Sequence, residues 1–261
     1  MMKPQLRIYK IGGGIIDHAP DLLEFVRLFA QVSGPKILVH GGGKGASDMM
    51  ASLGIPPRMV NGRRITDEAT LDIVTMFYAG KTNKQLVAAL QKAGVNALGL
   101  SGADANVIRA VKRPVREVDY GFVGDLDEAS INADIIRQFL ELGLTPVFSP
   151  INHDGQGQLL NTNADTIAAS VAKALSPHYA VELHFCFEKT GVLTDVNDNQ
   201  SVIPKITPSK YIELKEQGII AAGMLPKLEN AFDALHFGVE KVIIEHALHI
   251  NGALRTELCL M

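Results

Sequence analysis

Cysteine is scarce: only Cys186 and Cys259 occur in 261 residues, too few for a disulfide framework and without the paired histidine spacing of a zinc site. Both read as packing residues. No apolar run approaches the roughly 20 residues that a membrane-spanning helix needs. The opening MMKPQLRIYK runs directly into a strand-like pattern rather than a signal-peptide core, so a cytosolic protein with no membrane partner is expected. Basic blocks are missing too. Lys and Arg total 25 against 28 acids, a formal charge of −3, which leaves no footprint for a nucleic-acid partner. Low-complexity segments and repeats are absent. What is there, 47% hydrophobic and 20% charged residues, suits one α/β domain or two lobes with a substantial core.

Apolar strand-like runs stand at LRIYKI (6–11), KILVH (36–40), VNALGL (95–100), TPVFSP (145–150), YAVELHFCF (179–187) and EKVIIE (240–245). Helix-period stretches lie between them, among them PDLLEFVRLFAQV, EATLDIVTMFYAGKTNKQLVAALQKAG, NADIIRQFLELG, NADTIAASVAKAL and PKLENAFDALHFG. This alternation predicts a mainly parallel sheet covered by helices on both faces, with ligands gathered beyond the C-terminal strand ends. Residues 105–128 read instead as a β-hairpin or small meander.

Glycine runs follow the first two strands. VHGGGKGASDMM (39–50) passes from a strand through Gly41, Gly42 and Gly43 into a helix, where turned backbone N–H groups and the helix N-terminus favour an anion. A tight turn explains the fragment equally well. It also fits G-x-G-x-x-A through Gly41, Gly43 and Ala46, the looser dinucleotide pattern. YKIGGGII places Lys10 before Gly12, Gly13 and Gly14; a lysine within an apolar strand is costly unless paired, or it snorkels to solvent. Two such loops at neighbouring strand ends would grip one polyanion from two sides. In NGRRIT (61–66), Arg63 and Arg64 sit in an expected turn, either solvated or presenting forks to a carboxylate or phosphate. Asn163 is a natural N-cap and Asp165 suits the first turn of a helix, which leaves Asn161 unexplained by capping. Lys227 falls in the first turn of another helix, the wrong end for a cation unless an anion lies beside it.

In this order, K-I-G-G-G, H-G-G-G, N-G-R-R-I-T, L-N-T-N-A-D, E-K-T-G-V-L and G-M-x-x-K resemble the amino acid kinase family over nearly the whole chain. The resemblance implies a three-layer αβα sandwich and a single domain over 1–261. A lobe over about 1–175 would serve the amino acid and phosphate transfer, and one over about 176–261 the nucleotide. It also implies ATP with Mg²⁺, a small-molecule substrate and a homodimer. The members most similar phosphorylate the γ-carboxylate of an N-acylated glutamate in arginine biosynthesis. By matching motifs, Lys10 and Lys227 would stabilise the transferring phosphoryl group and Asp165 would orient them. Gly12, Gly13, Gly42 and Gly43 would bind phosphate, while Arg64 and Asn161 would clamp the substrate. Glu188, Gly191, Gly223 and Met224 would lie on the nucleotide side. No metal ligand is assigned. The start at the first strand lacks the helix through which arginine-regulated relatives assemble, so arginine feedback is not expected.

An acetyl substituent is expected on the substrate, with succinyl as the alternative should Arg63, Lys112, Arg113 and Arg116 face it rather than solvent. Outside this class stand a dinucleotide-dependent oxidoreductase and a catalytically silent sensor. The first lacks a strand ending in an acid within IPPRMVNGRRITDE, and the second would not need both lysines with Asp165.

Overall fold

The computed structural model describes residues 3–60, 62–220, 224–250 and 252–261. Among them, eight strands form one sheet: β1 (Gln5–Ile11), β2 (Lys36–His40), β3 (Ala97–Leu100), β4 (Thr145–Phe148), β5 (Ala180–Phe187), β6 (Lys205–Ile206), β7 (Lys241–His246) and β8 (Arg255–Leu258). Their order is β6-β8-β7-β5-β1-β2-β4-β3. Only β7 and β8 pair antiparallel. The six expected strands are all in this sheet. The two that pattern did not reveal, β6 and β8, are short and lie together at one edge, where the run of apolar residues is broken by charge.

Alternation along β1 decides the rest. Leu6 and Ile8 enter a core with α6 (Ala133–Glu141), α7 (Ala164–Leu175), α8 (Pro208–Glu216) and α9 (Leu225–His236). Tyr9 and Ile11 enter another with α1 (Gly13–Asp17), α2 (Ala19–Ala30) and α5 (Asn83–Lys92). The result is a three-layer αβα sandwich. Period two therefore turns Lys10 toward the layer that holds α7. Beyond the strand ends, Ala46, Leu71, Val74, Tyr78 and Ile151 form a third, smaller core. It joins α3 (Gly45–Ser52), α4 (Glu68–Val74) and the short hairpin of Ile151–His153 with Leu159–Asn161.

The expected meander is present as Val111–Lys112 paired with Gly124–Asp125. The long helical stretch from residue 68 is continuous, but its middle, Thr75–Thr82, is a π-helix between α4 and α5. No helix of the described residues is long and apolar enough to cross a membrane.

Candidate functional site

The two glycine loops follow adjacent strands, because β1 and β2 pair side by side. They touch. A Cβ added to Gly13 would lie 2.6 Å from Gly43 Cα, so no side chain fits between the loops. Gly43 also has φ of +66°, a left-handed conformation that favours glycine. The carboxylate of Asp17 accepts the Lys44 N–H at 2.5 Å, tying the second loop to the end of α1. Gly12 holds the N-cap position of α1, and Gly14 is pressed against the Glu188 carboxylate.

The loops form one wall of a cavity of about 370 Å³ whose lining includes Lys10, Gly13, Gly42, Gly43, Arg63, Arg64, Asn161 and Asp165. Lys10, buried on β1, reaches Asp165 Oδ1 at 2.7 Å. Lys227 Nζ stands 3.5 Å from the other oxygen. Burial alone would raise the Asp165 pKa, but the charges of Lys10 and Lys227 outweigh it and hold the carboxyl below its ordinary value. Asp165 is in place because Asn163 caps α7 by accepting the N–H groups of Asp165 and Thr166. The cap and the lysine bridge are thus successive uses of one helix start. Lys227, in the first turn of α9, has the Asp165 carboxylate beside it and lies 5.2 Å from the Phe187 ring centroid.

Arg63 and Arg64 form not a turn but a short strand, paired with Met59–Val60, and both are half-buried. The solvated reading is reversed, because both arginines line the cavity. Arg64 donates to Ser47 Oγ at 2.8 Å and reaches Met50 Sδ at 3.4 Å, both on α3. Asn161 donates to Thr66 Oγ1 at 3.1 Å, and backbone bonds from Phe122 to Thr66 and from Asn161 to Phe122 hold the segments together. Residues 97 positions apart in the chain therefore face one cavity.

The nucleotide-side expectations divide. Glu188 is exposed at the end of β5, and Met224 occupies the N-cap position of α9. Gly191 has a packing reason, since a Cβ there would lie 2.6 Å from Thr256 Oγ1. Gly223 lies outside the described residues. Of the two cysteines, Cys186 is buried and Cys259 partly so.

Two side chains that shape the cavity escaped the motif reading. His40, at the end of β2, is buried and pushed down to about 4, chiefly by that burial, so it is neutral. Its Nδ1 faces Gly41 O at 2.9 Å and its Nε2 faces Asn83 Nδ2 at 3.1 Å. Those partners assign the proton to Nδ1, which then fixes the carbonyl that opens the second loop. Tyr78 lies on the π-helical stretch. A histidine closing an apolar run and a tyrosine within a helical run both look like core in sequence.

The model of the amino acid kinase family matches residues 5–246. Acetylglutamate kinase from Bacteroides thetaiotaomicron is 54% identical over 250 residues, covering 96% of each chain. Acetylglutamate kinase from Phocaeicola vulgatus is similar to the same extent, 54% over 250 residues and 96% of each chain. Among solved structures, smu.665 from Streptococcus mutans superposes with a TM-score of 0.77 at 29% identity, covering 97% of this chain and 98% of that one. Because the match runs from the first strand to the end of β7 and takes in both glycine loops, both lysines and the carboxylate between them, the chain belongs to the amino acid kinase family.

Proposed function

We propose that the chain transfers the γ-phosphoryl group of ATP to the γ-carboxylate of N-acetyl-L-glutamate, as an acetylglutamate kinase of arginine biosynthesis. The carrying observation is Asp165 bridging Lys10 and Lys227 beside two touching glycine loops, in a chain whose full-length relatives bear that name. A glutamate side chain has a reference pKa of about 4.3 and is ionised near neutrality, so no general base is required. Phosphoryl transfer then depends on alignment and on stabilising charge that spreads over the equatorial oxygens.

Lys10 and Lys227 supply that charge, and Asp165 keeps two like-charged ammonium groups at one place. Backbone N–H groups of Gly12, Gly13, Gly42 and Gly43 receive the phosphates. Arg64 grips the α-carboxylate through its planar fork, with Asn161 beside it. The donor set suits a nucleotide that brings its own Mg²⁺. No three His, Cys, Asp or Glu side chains among the described residues group as a metal site, and Mg²⁺ is commonly bound through substrate phosphates, where it neutralises their charge. In this reading residues of about 1–175 hold the acyl amino acid, and those of about 176–261, with Phe187, Glu188 and Met224, hold the nucleotide. A homodimer is part of the proposal, supported by exposed Met49 on α3, Leu53 directly after it and Met76 on the π-helical stretch; sedimentation of a monomer would remove it.

One observation favours a second reading of the acyl group. Of the four cations considered, Arg113 pairs with Asp125 and lies 5.1 Å from the Tyr120 ring centroid. Lys112 lies over Phe122 at 4.6 Å, and Arg116 lines a separate depression with Glu117. Arg63 alone of the four lines the cavity, and burial with the like charge of Arg113 lowers its pKa. A desolvated guanidinium favours a second carboxylate, as in a succinyl group. Measuring kcat/KM with N-acetyl- and N-succinyl-L-glutamate tests both readings. Preference for succinyl of about tenfold or more, about 1.4 kcal/mol, would overturn the acetyl assignment, and transfer to neither would overturn the kinase.

A further inference from the structure

Tyr78 projects from the π-helical stretch Thr75–Thr82, a local geometry frequently found at functional sites because its extra residue per turn re-aims side chains. The phenol ring covers the bare face of Gly42. A Cβ on Gly42 would lie 2.1 Å from Tyr78 Cζ and 2.5 Å from its Oη, so the hydroxyl sits directly against the second glycine loop. Only 5% of Tyr78 is exposed, yet it lines the cavity together with Arg64 and Lys10. The phenol thus faces the same cavity as the arginine that takes the α-carboxylate and the lysine that meets the phosphoryl group.

The neighbour of this hydroxyl on the substrate side is a donor. The Arg64 guanidinium lies beside the phenol as a donor, while burial still pushes the Tyr78 pKa up and keeps it protonated. An arginine offers donors only, so it cannot accept the phenolic proton. The cavity that Tyr78 lines is the side on which an acceptor for that proton can be placed. A phenol that has an arginine donor beside it and opens on a cavity is matched to a ligand that brings a carboxylate oxygen to accept its proton.

We propose that the Tyr78 hydroxyl donates a hydrogen bond to the acceptor carboxylate of the substrate, making Tyr78 a substrate-binding residue that aims this carboxylate along the Gly42 loop toward Lys10. The inference rests on the acylglutamate kinase reading and adds to it the group that orients the reacting end. The ring itself has a second, separable task, which is to cover Gly42.

Tyr78→Phe separates the two, since it keeps the ring and removes the oxygen. In the full-length enzyme, kcat/KM for the acylglutamate is expected to fall about 10- to 100-fold while KM for ATP stays within about twofold, with an unchanged melting temperature. Tyr78→Leu, which also uncovers Gly42, is expected to raise KM for ATP as well. Tyr78→Phe with unaltered kinetics would overturn the proposal and leave Tyr78 as a packing residue. Equal losses toward ATP and acylglutamate in Tyr78→Phe would overturn it too, because the hydroxyl would then serve the loop. Absence of transfer by the unaltered chain would overturn the kinase reading and this inference with it.

Discussion

Asp165→Asn removes one negative charge from between two ammonium groups and changes almost nothing in volume. At 2.7 Å to Lys10 and 3.5 Å to Lys227, the two attractions are on the order of 5–6 kcal/mol each with an effective dielectric constant of about 20. Solvent reduces the second, because the Lys227 side chain is 30% exposed. Desolvation of all three groups offsets much of the remainder, and breaking a buried pair typically costs about 3–5 kcal/mol. The variant leaves Lys10 buried against a like charge. We expect a loss of about 3 kcal/mol in unfolding free energy and a fall in kcat of about 100-fold, or about 2.7 kcal/mol. KM for each substrate should change much less, because the lysines act mainly on charge that develops in the transition state. Urea denaturation and steady-state kinetics read the two effects separately. A kcat within about threefold of the unaltered enzyme would refute the reasoning, since the lysines would then need no shared anchor. The Asp165 pKa is depressed below 3.8 in the fold, so its contribution to stability is full above 3.8 and lost as pH falls through the lower folded value.

Arg64→Lys should raise KM for the acylglutamate about 10-fold or more and leave KM for ATP nearly unchanged, since a fork held by Ser47 becomes a point charge. Higher KM for ATP instead would place Arg64 on the nucleotide side. Away from the cavity, His184 Nδ1 meets Glu245 Oε1 at 2.6 Å in the buried sheet, and Glu182 lies beyond Nε2 at 3.8 Å. His184 beside it leads in pulling Glu182 down to about 2, while burial, which alone would lower His184, is outweighed by the carboxylates of Glu182 and Glu245. The Glu182 contribution is present above 4.5 and lost as pH falls toward 2; that of His184 is present below 6.5 and lost as pH rises through its raised value. Stability from this cluster should therefore be greatest between those limits, and Glu245→Gln should flatten its decline on the alkaline side. Urea titrations with identical alkaline limbs for both proteins would exclude the cluster as the cause.

Elements governed by near neighbours in the chain were legible without coordinates. Six apolar strand runs, the N-cap at Asn163 and both glycine turns depend on periodicity, side-chain reach and φ preference within a few residues. Lys10 and Lys227 also stood out, because each is a cation where local physics disfavours one. Their common carboxylate, Asp165, was named only through the family resemblance and not by local physics. It required β1 to lie beneath α7 and α9 to start nearby, a consequence of sheet order and of which face alternation turns toward which helix layer. Tertiary structure alone also decided that Arg63 and Arg64 form a strand over a cavity. Pattern missed β6 and β8 because short strands near a sheet edge draw their stability from neighbours rather than from an apolar run of their own. His40 and Tyr78 escaped for the same physical reason: a buried polar side chain is indistinguishable from core until a partner, Asn83 for one and Gly42 and Arg64 for the other, is brought in from elsewhere in the fold.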